Sequence, residues 1–246
     1  MAENFILFYV LLFVVAFLYA SVGHGGASGY LALMALFAVS PAVMKPTALL
    51  LNLFVSSTSF LQFYRAGHFK WKLFWPFAAA SVPLSFIGGT MAIESAVYKK
   101  ILGALLLVPV IRFFFFKNTD PKDFRKANIP LALFIGGVIG LLSGMIGIGG
   151  GIILSPVVLL LKWADQKQTA AVSAAFIFVN SAAGLGGQLI KGFQFNSYMI
   201  TYVGIAFVGG LCGAYFGALK FPQTVLKYLL ASVLAVAAYK LLFTHA

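Results

Sequence analysis

Acidic residues are almost missing. The 246-residue chain carries five Asp and Glu against seventeen Lys and Arg, and charged residues of both signs make up only 9% of it. Soluble domains carry roughly a quarter charged residues, so a water-facing shell cannot be assembled from this sequence, and lipid is the expected solvent. No carboxylate lies well inside an apolar run: Glu94, Asp120, Asp123 and Asp165 fall at run ends or in loops, and Glu3 is terminal. Carboxylates within the bilayer commonly mark ion pumps and cation-coupled carriers. Their lack argues against a buried acid relay or an acid-built cation site, and leaves a pathway that does not repel anions. The single cysteine, Cys212, excludes an intrachain disulfide and a multi-cysteine metal site. No P-loop lysine motif, HExxH, GxSxG or paired carboxylates occur, so no catalytic residue, metal or cofactor is expected.

What is present is apolar. Hydrophobic residues make up 62% of the chain, and its mean hydropathy is +1.01. In hydrocarbon the backbone must satisfy its own hydrogen bonds, which leaves helices or closed barrels. Long runs of Leu, Ala, Val and Phe without period-two alternation select helices. The expected fold is therefore an all-α polytopic membrane protein. Apolar runs fall at 4–20, 28–39, 46–64, 73–93 and 97–116, then at 129–146, 151–161, 170–190, 197–218 and 224–243. The second run of each half is only about 18 Å long as a helix, short of the roughly 30 Å of a hydrocarbon core. Met1-Ala-Glu-Asn4 carries no Lys or Arg, so the first run is expected to be retained rather than cleaved as a signal.

The halves repeat one another. Gly23-His24-Gly25-Gly26-Ala27 is followed 124 residues later by Gly147-Ile148-Gly149-Gly150-Gly151, and each cluster precedes a short run. Gly67-His68-Phe69 is echoed by Gly192-Phe193-Gln194, and Gly88-Gly89 by Gly213-Ala214, at an offset of 125. The expected organisation is a first repeat over 1–116, a cytoplasmic linker over 117–128 and a second repeat over 129–246. The net charge of +12 lies between the runs, so it reads as topology signal and lipid-headgroup contact rather than a nucleic-acid surface. With the N-terminus outside, only Lys45, Lys99, Lys100, Lys191 and Lys240 remain outside, and the other bases fall inside. Five segments per half then make the repeats inverted. Broken segments at matching positions of two halves point to a transporter's binding site.

Glycine turns that open helices suit an anion. Without Cβ atoms the main chain gathers N–H groups at one point, and the helix start adds partial positive charge. The candidate substrate-binding residues are His24, Gly25 and Gly26 in the first half, with Gly149, Gly150 and Gly151 in the second. Close helix packing is the alternative use of such glycines. His24 is a candidate proton acceptor or anion donor; a bond to a neighbouring carbonyl is the plainer reading. Asn52, Ser56 and Gln62 share one face of the third run, and Asn180 and Gln188 one face of the eighth. They are candidates to line a route, interhelical hydrogen bonding being the alternative. Lys45 and Arg65, at the ends of the third run, read as snorkelling anchors.

These residues resemble the TauE/SafE family of membrane permeases, often called sulfite exporters. The resemblance covers nearly the whole chain. It rests on Ser21-Val22-Gly23-His24-Gly25-Gly26 and on Gly140-Leu141-Leu142-Ser143-Gly144-Met145-Ile146-Gly147-Ile148-Gly149-Gly150-Gly151 with Pro156, and departs at Ala27, where a third glycine is expected. It implies export of sulfite, sulfonates or related anions across the cytoplasmic membrane. The expectation is a secondary carrier working by alternating access, with a small anion and the lipid bilayer as partners, proton coupling and a homodimer as options, and no nucleic acid. An anion channel or uptake permease is the alternative, followed by a non-transporting membrane component.

Overall fold

The computed structural model describes residues 2–21, 26–115, 124–219 and 223–243. Within them the chain forms ten helices, α1 Ala2–Ser21, α2 Ala27–Leu36, α3 Pro41–Arg65, α4 Trp71–Thr90, α5 Ser95–Phe115, α6 Ile129–Ile146, α7 Gly151–Leu160, α8 Gln166–Ile190, α9 Ser197–Leu219 and α10 Gln223–Phe243. No strand occurs among the described residues. By length and composition, three of these helices (α4, α6 and α8) are long and apolar enough to cross a membrane.

Most helices begin and end within a few residues of their apolar runs. The exceptions are α3 and α8, which start ahead of their runs, one on a proline and the other on a capping aspartate. Asp165 caps α8, its carboxylate accepting from the Gln168 amide at 2.8 Å. Pro41 opens α3 behind Ser40, a position where a missing N–H costs nothing. In the same way Asn128 caps α6 by accepting from the Leu131 amide at 3.0 Å.

The short helices are as short as their runs imply. Both α2 and α7 are ten residues long, about 15 Å. Each opens on a left-handed glycine, Gly26 at φ 83° and Gly150 at φ 76°, a conformation that disfavours side chains. Each is followed by a left-handed non-glycine residue, Ala38 at φ 55° and Lys162 at φ 58°, again 124 apart. Gly67 at φ 76° and Gly192 at φ 81° end α3 and α8 alike. Packing follows the same exchange: α4 lies on α6 as α9 lies on α1, and α2 lies on α10 as α7 lies on α5. It extends to single contacts, since Gly88 faces the Leu141 carbonyl and Gly213 the Phe17 carbonyl, each with no room for a Cβ.

Two apolar cores result. One gathers residues of α1, α2, α3, α5 and α10 around Tyr30 and Leu31; the other gathers α4, α6, α7 and α8 around Phe77 and Phe176. The exterior is apolar too. Phe134, Ile190 and Ile200 are 70%, 72% and 71% exposed, a surface that invites aggregation in water and suits lipid.

Candidate functional site

The second glycine turn is braced from three sides. The Tyr98 hydroxyl of α5 donates to the Ile146 carbonyl at 2.8 Å, where α6 ends. Gly147, at φ 89°, lies against the Lys45 main chain of α3. In α7, Ser155 donates to the Gly151 carbonyl at 2.9 Å and meets the Ser173 hydroxyl of α8 at 2.8 Å. The start of α7 is thereby held between α3, α5 and α8.

The three glycines of this turn do different things. A Cβ on Gly150 would strike Ile139 and Phe176, and one on Gly151 would strike Ile177; both positions are ordinary close packing. Gly149, at φ 74°, also faces polar atoms: a Cβ there would lie 2.7 Å from Asn52 Nδ2 and 3.3 Å from Ser181 Oγ, with Ile177 Cγ2 at 2.9 Å. Asn52 and Ser181 are fully buried. Neither amide atom of Asn52, nor the Ser181 hydroxyl, has a hydrogen-bond partner among the described residues. Ser56 Oγ, one turn further along α3, and Asn180 Oδ1, beside Ser181, are likewise buried and unpartnered there. A buried polar group left unpaired costs about 1–3 kcal/mol, and a folded chain tolerates several together where function requires them. Asn52 and Ser181 meet at Gly149, just before the first N–H groups of α7, which have no partner within their own helix.

The first turn has a related arrangement. Gly26 sits under the Tyr30 ring, whose buried hydroxyl has no partner among the described residues. The Tyr19 hydroxyl pairs with Ser28 at 2.6 Å beside it. His24 and Gly25 lie outside the described residues.

The remaining expected residues separate. Gln62 is exposed near the end of α3, ten residues or about 15 Å from Asn52 along the axis, and is not part of the buried group. Gln188 is half-buried and donates its side-chain amide to the Gly89 carbonyl, closing the C-terminal end of α4. Asn180 donates to the Phe176 carbonyl at 2.8 Å, leaving only its oxygen toward the site.

Lys45 corrects its expected role. It is no snorkelling anchor but is 6% exposed, and its ammonium donates to the Gly88 and Gly89 carbonyls at 3.1 Å each and to Met91 at 3.4 Å. These carbonyls end α4, where helix partial charge is negative, so the cation neutralises a helix end instead of reaching for headgroups. Ser81 and Ser85 were not selected from sequence. Ser85 donates to the Asn180 carbonyl at 2.8 Å, tying α4 to α8. The available signal was spacing: Ser81, Ser85 and Gly89 on α4 oppose Gly140 and Gly144 on α6 in steps of four residues.

A helical bundle with a lipid-suited exterior, half-length helices opening on glycine, and unsatisfied polar groups at one such opening has the build of a membrane transporter. Residues 8–241 match the family model described as Sulfite exporter TauE/SafE. The chain belongs to that family and is a membrane transporter. It is 37% identical to a probable membrane transporter protein of Sinorhizobium fredii over 94% of this chain and 95% of that one. A probable membrane transporter protein of Bacillus subtilis is 25% identical over 95% and 98%. One from Methanocaldococcus jannaschii is 28% identical over 65% and 60%. No solved structure matches the chain at a significant level.

Proposed function

We propose that this protein is a multi-pass secondary carrier of the cytoplasmic membrane that exports small sulfur-containing anions, sulfite or organosulfonates, by alternating access between inverted halves, 1–116 and 129–246, joined by a cytoplasmic linker over 117–128. The observation that carries the reading is the set of unpartnered Asn52 and Ser181 groups converging on Gly149 at the start of α7. An oxyanion placed there accepts from the Asn52 amide, the Ser181 hydroxyl and helix-start N–H groups at once, with the helix partial charge favouring it. The scarcity of acids leaves nothing in the runs to oppose a negative charge. The family model's description as a sulfite exporter supports this choice of substrate class and direction. Gly26 is the corresponding element of the first half, and His24, two residues earlier in the sequence, takes the proton-coupling role.

Flux of labelled sulfite, a sulfonate, sulfate and a carboxylate into and out of liposomes tests the reading. Asn52→Ala removes one charge-assisted hydrogen bond, worth about 1.5–3 kcal/mol, so sulfite flux should fall roughly 10–150-fold. Because the lost groups are unsatisfied in the unliganded protein, the melting temperature should hold or rise. Ser181→Ala should behave alike with a smaller loss. Unchanged flux in both variants removes the site, and equal rates for sulfate, carboxylate and sulfite remove the substrate class. For the coupling role, His24→Ala should make sulfite flux indifferent to an imposed pH gradient, read with a pH dye inside the vesicles; a retained response assigns coupling elsewhere.

A further inference from the structure

Away from Gly149 the structure holds a cavity of about 260 Å³, between the turn that joins α2 to α3, the start of α5 and the last turn of α10. Its volume falls just under the roughly 300–1,000 Å³ usual for ligand pockets, which suits a small solute. Lys99 of α5 and Lys240 of α10 line it, together with Ser40 and Ser95, over a floor that includes Met44 and Leu241. Both lysines are half-buried. Lys240 is oriented by donating to the Leu36 carbonyl at 2.8 Å, where α2 ends. Ser40 is the N-cap residue of α3 and Ser95 the first residue of α5, so two helix starts join two lysines at one opening. The turn is fixed: Ala38 holds φ 55°, and the Val39 amide donates to the Met34 carbonyl at 2.9 Å. The acid nearest in sequence, Glu94, is exposed and does not line the cavity.

We propose that this cavity binds a tetrahedral oxyanion, either free or carried on a lipid headgroup. Two ammonium groups, two hydroxyls and two helix starts offer many donors, and the carbonyl end of α2 is already met by Lys240. Partial burial lowers the local dielectric and strengthens these contacts over those of an open basic loop. Apolar side chains below keep the ligand at the mouth. Binding at this cavity does not rest on the carrier reading of the Gly149 site.

The test separates the two. Purified Asn52→Ala protein in phosphatidylcholine nanodiscs, disabled at the Gly149 site, is titrated calorimetrically with inorganic phosphate and with sulfate. In parallel, native mass spectrometry compares retained lipid after reconstitution in phosphatidylcholine alone and with phosphatidylglycerol. Lys99→Gln is the main variant. Lys240→Gln is the second, with melting temperature followed because Lys240 also meets α2. The expected result is that Lys99→Gln weakens oxyanion binding, or cuts retained phosphatidylglycerol, about tenfold or more, with the melting temperature kept. A response confined to the lipid arm assigns the ligand to a headgroup, and one confined to the soluble arm assigns it to a free anion. Oxyanion binding and lipid retention that neither lysine variant alters would overturn the proposal, whatever the flux experiments show.

Discussion

Gly144→Val should leave little folded protein. A Cβ on Gly144 would fall on the Ser85 carbonyl, with the Gly89 amide 2.9 Å away. Both obstacles are main chain, so no rotamer change relieves the clash. Overpacking that side chains can absorb costs about 1–3 kcal/mol; here α4 and α6 must separate, and the loss should reach at least about 3 kcal/mol. For a chain of this length that lowers the melting temperature by about 6–12 °C, readable by size-exclusion chromatography after heating in detergent. Gly140 meets Ser81 and Gly136 meets Phe77 in the same manner, so valine at either should behave alike. Gly204 on α9 is the control. Nothing lies within 4 Å of its Cβ position and its φ is ordinary, so Gly204→Ala should be neutral or slightly stabilising. Equal tolerance at Gly144 and Gly204 would mean that the two helices do not touch.

Lys45→Met should be the most damaging change of a single polar side chain. It keeps the stem and removes the ammonium, leaving the Gly88 carbonyl without that donor and the Gly89 carbonyl with only Gln188. Bonds to a charged donor contribute about 1.5–3 kcal/mol each, and the Gly88 carbonyl keeps only the Met91 amide. The expected loss is about 2–4 kcal/mol, seen as a lowered melting temperature. A lysine at a membrane surface would give almost none. Transport should fall beyond what stability explains, because the Lys45 main chain supports Gly147 at the proposed site. Sulfite flux per folded molecule, normalised by chromatography, separates the two effects.

Much of the architecture could be read before folding was considered. The ten-residue α2 and α7 follow from apolar runs too short to span, and their starts from glycine clusters that permit positive φ. The polar stripe on the third run led to Asn52, and the eighth run to Asn180, which adjoins Ser181. Lys45 escaped because its partners are more than forty residues away. Locally, a lysine beside Pro46 at the end of an apolar run looks like any interfacial anchor. Gln188 escaped for the same reason: helical periodicity gives the face of a side chain, not the carbonyl it meets on another helix. Gly149, Gly150 and Gly151 all meet Phe176 or Ile177, but only Gly149 also faces Asn52 and Ser181, a difference that only the neighbouring helices decide.

The α4–α6 contact is made of peptide groups rather than side chains. The closest approaches, at Gly136, Gly140 and Gly144, are to main chain of α4, which has little torsional freedom to surrender, so they form at little entropic cost, where lipid offers no hydrophobic gain for association. It also lacks slack. With main chain against main chain at three successive steps, the pair should tilt as one plate, and any displacement that carries a solute across should take place along the softer, side-chain-filled borders of the bundle.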